Sequence, residues 1–142
     1  TGTTPQPGDF CIDVGGSPGG WAWVVHQCGA EVLSIDRSPL APSVAKLKGV
    51  SFQKRDAFTL VPEEFKDRRI DWLFSDVICY PEKLYEWILK WVESGICKNF
   101  ICTIKFKGEP DLSIADKFAA IPGSRVQHLF HNKNELTWFK IS

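Results

Sequence analysis

The amino-acid sequence predicts an α/β domain with a mostly parallel seven-stranded sheet, helices on both faces and an antiparallel last strand. Strand patterns alternate with helix patterns along most of the 142 residues, which is typical of a parallel sheet. The last two strand patterns are separated only by residues 131–134, too few for a parallel crossover, so they must pair antiparallel. With 44% hydrophobic and 13% aromatic residues, the chain can bury one core of its own.

The first half of the chain contains three short strand patterns separated by helical segments. Phe10, Ile12 and Val14 suit a buried strand that runs into a glycine-rich turn. The next helix should end at Gly29, since glycine commonly closes helices. The predicted strands are residues 10–14, 31–36 and 50–54, and the predicted helices are residues 19–28, 39–46 and 62–66.

The second half contains the most regular helix pattern of the chain. Apolar residues recur at intervals of three and four between Pro81 and Gly95, which predicts an amphipathic helix with its tryptophans in the core. These apolar residues are Leu84, Trp87, Ile88, Trp91 and Val92. The other predicted elements are strands 70–75, 99–104, 125–130 and 135–141, and a helix over 114–120.

The turn after the first strand has the composition of a nucleotide-cofactor cradle. Its glycines let the backbone approach a ligand without a Cβ clash, and Pro18 suits the first turn of a helix whose free N–H groups face that ligand. Ser17 stands where a dinucleotide fingerprint has its second glycine. The candidate cofactor-binding residues of this turn are Gly15, Ser17, Pro18, Gly19, Gly20 and Trp21.

Two carboxylates follow the next two strands and complete the candidate cofactor site. Asp36 lies about 20 residues beyond the turn, where such folds bind the hydroxyls of a ribose. Its alternative role is a helix cap or loop acid before Ser38. Asp56 could accept a hydrogen bond from the amine of adenine. We assign Asp36, Asp56 and the neighbouring Ala57 to the cofactor site.

Three further polar residues lie at the ends of later strands. Asp76 follows the fourth strand, Lys105 ends the fifth and Glu135 opens the last. Each alone would be an ordinary surface residue, but ligands bind outside the carboxyl ends of such strands. The motif Asp13-x-Gly-x-x-Pro-Gly-Gly-Trp21 and these three residues together resemble the FtsJ-like ribose 2′-O-methyltransferases, over nearly the whole chain from Phe10 to Trp138.

This resemblance implies S-adenosylmethionine as cofactor, with no metal, and Asp76, Lys105 and Glu135 as catalytic residues. Lys105 would act as general base or stabilise the alkoxide, with the two carboxylates orienting it and the incoming hydroxyl; Asp76 would also contact the cofactor. Residues 76–83, 91–97 and 129–137 are most similar to the RlmM-type branch. That branch implies methyl transfer to a cytidine ribose of large-subunit (23S) ribosomal RNA.

The resemblance implies a catalytic tetrad of Lys, Asp, Lys and Glu, of which Asp76, Lys105 and Glu135 match the last three. The first lysine has no counterpart in residues 1–9. The chain contains no methionine and starts with a loop-like segment, so we expect residues 1–9 to be the remnant of an upstream region and residues 10–142 to be the catalytic domain. That region would carry the lysine and an RNA-binding domain. For the RNA surface of a monomeric enzyme we expect Lys83, Lys105 and Lys107, together with Tyr80 and Arg125.

Charge and cysteine content limit the other classes of function. Lys plus Arg and Asp plus Glu both number 17, so the chain lacks the basic excess of an autonomous nucleic-acid binder. Its five cysteines show no C-x-x-C spacing, which favours reduced core thiols over a zinc site. Reduced thiols in turn favour a cytoplasmic location. No apolar run predicts a membrane span, and no secretory leader is visible.

Two other functions share part of this pattern. An NAD-dependent oxidoreductase would share the early turn and Asp36, but it predicts no role for Lys105 or Glu135 and no terminal antiparallel hairpin. A catalytically silent RNA-binding or adaptor module would keep the fold and lack the upstream lysine. A small-molecule O-methyltransferase is a weaker third alternative.

Overall fold

The computed structural model describes residues 4–15, 20–76, 81–105, 112–128 and 135–142, in which the chain forms one sheet flanked by helices. The strands are β1 Phe10–Val14, β2 Glu31–Asp36, β3 Val50–Lys54, β4 Ile70–Ser75, β5 Cys97–Lys105, β6 Ser124–His128 and β7 Glu135–Lys140. The helices are α1 Gly20–Gln27, α2 Pro42–Ala45, α3 Pro81–Ser94 and α4 Leu112–Ala119. Short 3₁₀ helices span Ala57–Thr59 and Pro62–Phe65.

The seven described strands lie in the order β3-β2-β1-β4-β5-β7-β6. The pairs among β1 to β5 are parallel, whereas β7 runs antiparallel to both β5 and β6. The predicted mostly parallel sheet with an antiparallel last strand is therefore confirmed. Because β7 runs antiparallel to β5, with Glu135 opposite Lys105, its first residue stands at the same edge of the sheet as the carboxyl ends of β1 to β5.

The larger core lies between the sheet and helices α3 and α4. Helix α3 buries Leu84, Trp87, Ile88 and Trp91 on this face, so the predicted amphipathic helix with core tryptophans is confirmed. The indole N–H of Trp87 donates to the carbonyl of Leu60 at 3.0 Å, which gives the buried ring a partner for its polar atom.

The second core lies on the other face, beneath α1 and α2. Ala22 and Val25 of α1 pack with Val44 of α2 and with the rings of Trp72 and Phe74 on β4. As predicted, α1 is closed by Gly29, whose φ of 79° is left-handed and suits glycine. The two cores hold β1 and β4 at the centre of the sheet, where the candidate site lies.

Some predicted boundaries differ from the structure for local reasons. Helix α2 starts at Pro42 and not at residue 39, because proline disfavours a helical conformation in the residue before it and Ala41 is extended with ψ 138°. The segment predicted as a helix over 62–66 is a 3₁₀ helix, Pro62–Phe65. Strand β5 begins at Cys97, two residues early, where it pairs with Ile70.

Candidate active site

The glycine-rich turn begins at the carboxyl end of β1. Gly15 has a left-handed φ of 75°, and its N–H donates to the carbonyl of Ile35 at 2.7 Å. On the other side, the N–H of Asp76 donates to the carbonyl of Val14 at 3.1 Å. Gly15 and Asp76 are thus fixed at one edge of the sheet. The predicted cofactor residues Ser17, Pro18 and Gly19 lie outside the described residues, and α1 begins at Gly20.

Trp21 lies at the start of α1, above the central strands. Its ring stacks on Phe74, with centroids 4.6 Å apart and an interplanar angle of 10°, and Phe74 stacks in turn on Trp72. Trp21 nevertheless stays 37% exposed. The stack fixes the first turn of α1 beside the glycine turn and leaves part of an aromatic surface accessible there.

Asp36 is the last residue of β2. One carboxylate oxygen, Oδ1, accepts a hydrogen bond from the N–H of Ser38 at 2.9 Å, so the loop-acid role is present in the structure. A carboxylate can accept several hydrogen bonds. The hydrogen bond from Ser38 is therefore compatible with a role of Asp36 toward a ribose, and that role stays a prediction.

Asp56 follows β3 and caps the 3₁₀ helix Ala57–Thr59. Its Oδ1 accepts from the N–H of Phe58 at 3.0 Å, and its Oδ2 forms an ion pair with Arg37. The Phe58 N–H, followed by Arg37, lowers the pKa of Asp56, and the nearby charge of Lys83 acts in the same direction. Asp56 is therefore an ionised hydrogen-bond acceptor at this edge, with the buried Ala57 beside it.

Asp13 opens the motif that runs into the glycine-rich turn, but the sequence analysis assigned it no role at the site. Its side chain is fully buried in β1, between the paired residues Ser34 and Phe74. Neither of its oxygens makes a hydrogen bond of ordinary geometry with the described residues. Burial, and then the charges of Asp76 and Asp36, raise its pKa to about 7, although the nearby Ser34 hydroxyl lowers it slightly. The sequence did contain a signal that Asp13 is unusual, because it is an acid within an otherwise apolar strand.

The three carboxyl groups of Asp13, Asp36 and Asp76 make this part of the sheet edge electronegative. The charges of Asp36 and Asp76 reach Asp13 strongly enough to raise its pKa. A cation bound among the three groups would reverse that effect and favour the ionised form of Asp13. The edge is therefore suited to a ligand that carries positive charge.

Lys105 and Glu135 meet at the same edge through their backbones. They are direct partners in the antiparallel pairing of β5 with β7, and the structure describes both residues by their backbone alone. Ser75, the residue before Asp76, pairs with Cys102 of β5. The three predicted catalytic residues thus come from three neighbouring strands at one edge.

Of the other predicted substrate residues, the structure describes the side chains of Arg125 and Lys83. Arg125 stacks over Phe139, 5.0 Å from the ring centroid, and Phe139 pairs with Ile101, four residues before Lys105. Lys83 lies 4.6 Å from the ring centroid of Phe58, near Asp56. Tyr80 and Lys107 lie outside the described residues.

Two searches of the described residues were negative. They contain no group of three or more His, Cys, Asp or Glu arranged to hold a metal ion. In the same part of the chain, none of the helices has the length and apolar character needed to cross a membrane.

Comparison with known proteins gives one matching family and a set of curated relatives. A model of the FtsJ-like methyltransferase family matches residues 2–127. The chain is 31% identical over 138 residues to the ribosomal RNA large subunit methyltransferase M of Halorhodospira halophila, covering 94% of this chain and 40% of that protein. It is 30% identical over 139 residues to the protein of the same name from Alkalilimnicola ehrlichii, covering 93% and 38%. The chain thus spans about two fifths of these relatives.

Solved structures share the fold at low sequence identity. A Burkholderia thailandensis 1,6-didemethyltoxoflavin-N1-methyltransferase with bound S-adenosylhomocysteine superposes with a TM-score of 0.67 at 12% identity, over 96% of this chain and 72% of that one. The ribosomal protein L11 methylase of Lactobacillus delbrueckii subsp. bulgaricus gives 0.65 at 19% identity, over 99% and 70%. These similarities concern the arrangement of strands and helices.

Proposed function

The chain belongs to the FtsJ-like methyltransferase family, and from this premise we propose that it transfers a methyl group from S-adenosylmethionine to a ribose 2′-oxygen of RNA. The finer proposal is a cytidine ribose of large-subunit ribosomal RNA, which is supported by the names of the curated relatives and by the RlmM-like segments. The relatives are longer than this chain, and we propose that an upstream region supplies an RNA-binding domain and the remaining catalytic lysine. A monomeric state and a cytoplasmic location also belong to the proposal.

The observation that carries the proposal is the convergence of two residue sets at one sheet edge. Gly15 follows β1, Asp36 ends β2 and Asp56 lies two residues after β3, as a nucleoside-binding edge requires. Lys105 and Glu135 are paired across β5 and β7 at the same edge. The terminal antiparallel pair disagrees with the oxidoreductase alternative.

The residues present fit S-adenosylmethionine. We assign the Gly15–Trp21 turn to its amino-acid part, Asp36 to the ribose hydroxyls, and Asp56 with Ala57 to adenine. The cofactor supplies an electrophilic methyl group on a positively charged sulfonium, a charge that suits the electronegative edge around Asp13 and Asp76.

The chemical work of the chain is to hold the ribose hydroxyl and handle its proton. As the 2′-oxygen forms its bond to the methyl carbon, the carbon–sulfur bond breaks and the hydroxyl proton must leave. Lys105 accepts that proton or, if it stays charged, stabilises the developing oxyanion. Asp76 and Glu135 are the orienting groups on the neighbouring strands.

The first experiment is calorimetric titration of the chain with S-adenosylmethionine and, in parallel, with NAD. We expect saturable binding of S-adenosylmethionine and none of NAD, and loss of binding in Asp36→Ala. Asp36→Asn is the matched control for the loop, since its amide oxygen can still accept from Ser38. Binding of NAD alone would overturn the proposal.

The second experiment tests the chemical step. Transcribed large-subunit ribosomal RNA is incubated with tritiated methyl donor and the protein, including its upstream region. The product is then treated with alkali. Alkaline hydrolysis of RNA requires a free 2′-hydroxyl, so a methylated ribose makes the following phosphodiester bond resistant. We expect Lys105→Ala to abolish transfer while cofactor binding persists. Undiminished transfer by that variant would refute the role of Lys105, and cofactor binding without any transfer by the wild type would favour the silent module.

A further inference from the structure

A second groove lies at the opposite edge of the sheet, where β4 and β5 begin. We name it the strand-start groove; it has a volume of about 550 Å³ and is lined by residues 65–69 with Gly95 and Ile96. The N–H of Ile70 donates to the carbonyl of Ile96 at 3.1 Å, so its two walls are joined by the sheet itself. The groove is separate from the candidate active site by the length of the strands, about 15–20 Å at ~3.3 Å per residue.

Cations dominate the wall of this groove. Lys66, Arg68 and Arg69 are all exposed, against the single acid Asp67. Arg68 is paired with Glu31 and stacks over Phe10 at 3.6 Å from the ring centroid. Within the described part of the chain, Lys66 and Arg69 have no salt bridge. Two cations of the groove are therefore available for an anionic ligand.

The positive charge extends beyond the groove along the same edge. Burial, and to a lesser extent the charge of Asp71, raise the pKa of Cys97 at the start of β5 to about 12, whereas the charges of Lys140 and Arg69 oppose that rise. Arg69 and Lys140 thus stand close to the same residue, and the exposed Lys98 follows Cys97 directly. At the same edge Glu31 pairs with Arg68, and Asp71 accepts a hydrogen bond from the N–H of Phe10 at 2.9 Å.

We propose that the strand-start groove is a second RNA-binding site, which holds the phosphodiester backbone of the substrate at a distance from the reacting nucleotide. This inference rests on the proposed function. Cations that bind phosphates elsewhere on the domain add affinity for an RNA whose reacting ribose lies at the candidate active site, among the carboxyl groups of Asp13, Asp36 and Asp76. Arginine and lysine together are the residues that bind phosphate in this way, the guanidinium by paired hydrogen bonds.

The proposal is tested by the salt dependence of RNA binding. Fluorescence anisotropy with a labelled 30-nucleotide RNA stem-loop is measured between 50 and 300 mM KCl, with wild type and Lys66→Gln/Arg69→Gln. Each phosphate contact contributes about 0.7–0.9 to the slope of log affinity against log salt, so we expect the loss of two contacts to lower the magnitude of the slope by roughly 1.4–1.8. An RNA of unrelated sequence should weaken equally, because phosphate contacts carry no sequence information.

Three comparisons make the result specific to the groove. Lys90→Gln/Lys117→Gln removes the same charge from exposed positions of α3 and α4 and should leave the slope unchanged. Lys66→Arg/Arg69→Lys keeps both charges and should restore binding. Unlabelled polyglutamate of equal charge should displace the RNA poorly.

Several outcomes would overturn the inference. These are an unchanged slope in Lys66→Gln/Arg69→Gln, an equal loss in the control pair, or no RNA binding by wild type at 50 mM KCl. Efficient displacement by polyglutamate would instead indicate an acidic protein partner. Calorimetry with S-adenosylmethionine separates the two proposals: its failure contradicts the proposed function, whereas cofactor binding should be equal in wild type and groove variants.

Discussion

Substitution of the buried Asp13 by asparagine should change how stability depends on pH. Burial and the charges of Asp76 and Asp36 raise the pKa of Asp13 from an ordinary value of 3.8 to about 7. Between these values the unfolded chain has released the proton while the folded protein retains it. Unfolding then releases a proton, so wild-type stability must fall as pH rises from about 4 to 7 and level off above 7.

The size of the effect follows from the two pKa values. The full loss is about 4 kcal/mol well above pH 7, and roughly 2–3 kcal/mol of it falls between pH 5 and pH 8. Asp13→Asn cannot titrate and lacks this loss. The stability of the variant relative to wild type should therefore rise by roughly 2–3 kcal/mol from pH 5 to pH 8, whatever the fixed cost of burying the amide.

The assay is urea denaturation followed by tryptophan fluorescence at pH 5, 6, 7 and 8. Asp67→Asn, at an exposed position, is the control for the removal of a carboxylate, and it is measured at the same pH values. Asp76→Asn removes a charge that raises the pKa of Asp13. In that variant the fall of stability with pH should therefore level off at a lower pH than in wild type. Parallel stability curves for wild type and Asp13→Asn would refute the reasoning.

Three further predictions concern the turn, the core and the thiols. Gly15→Ala forces a side chain into a left-handed φ, so it should lower the free energy of unfolding by about 1–2 kcal/mol and weaken cofactor binding. The control is Gly95→Ala, whose φ is 70°; it should lose similar stability in urea denaturation and bind the cofactor as tightly as wild type. Trp87→Phe leaves the carbonyl of Leu60 unpaired and should cost about 2 kcal/mol, against almost nothing for the exposed Trp23→Phe. Burial raises the pKa of Cys11 and Cys97, so peptide mapping after thiol labelling at pH 8 should find both unmodified until the protein is unfolded.

The elements of the fold were predictable because they depend on local patterns. The three- and four-residue spacing of apolar residues between Pro81 and Gly95 specified α3 and its buried face. The four-residue separation before Glu135 was enough to require an antiparallel pair. Boundaries were less accurate where proline acts on its neighbour, as at Ala41, or where a strand extends because its partner does, as at Cys97.

The candidate site was partly predictable for a similar reason. Asp36, Asp56 and Asp76 each lie at or within two residues of the end of a strand. Because the carboxyl ends of parallel strands share an edge, position along the chain was sufficient to bring them together. The family motif added Lys105 and Glu135. Asp13 was missed because it lies inside a strand, where the sequence pattern marks the backbone as buried and says nothing of the charges around it.

The amino-acid sequence by itself thus determined the elements, the direction of the last strand and the edge at which the polar residues gather, since each follows from neighbours close in the chain. Only the tertiary structure decided the order of β5, β7 and β6, the ion pair of Arg37 with Asp56, the raised pKa of Asp13 and the strand-start groove. These features join residues distant in sequence, and their energies depend on burial and separation in space, which no local pattern contains.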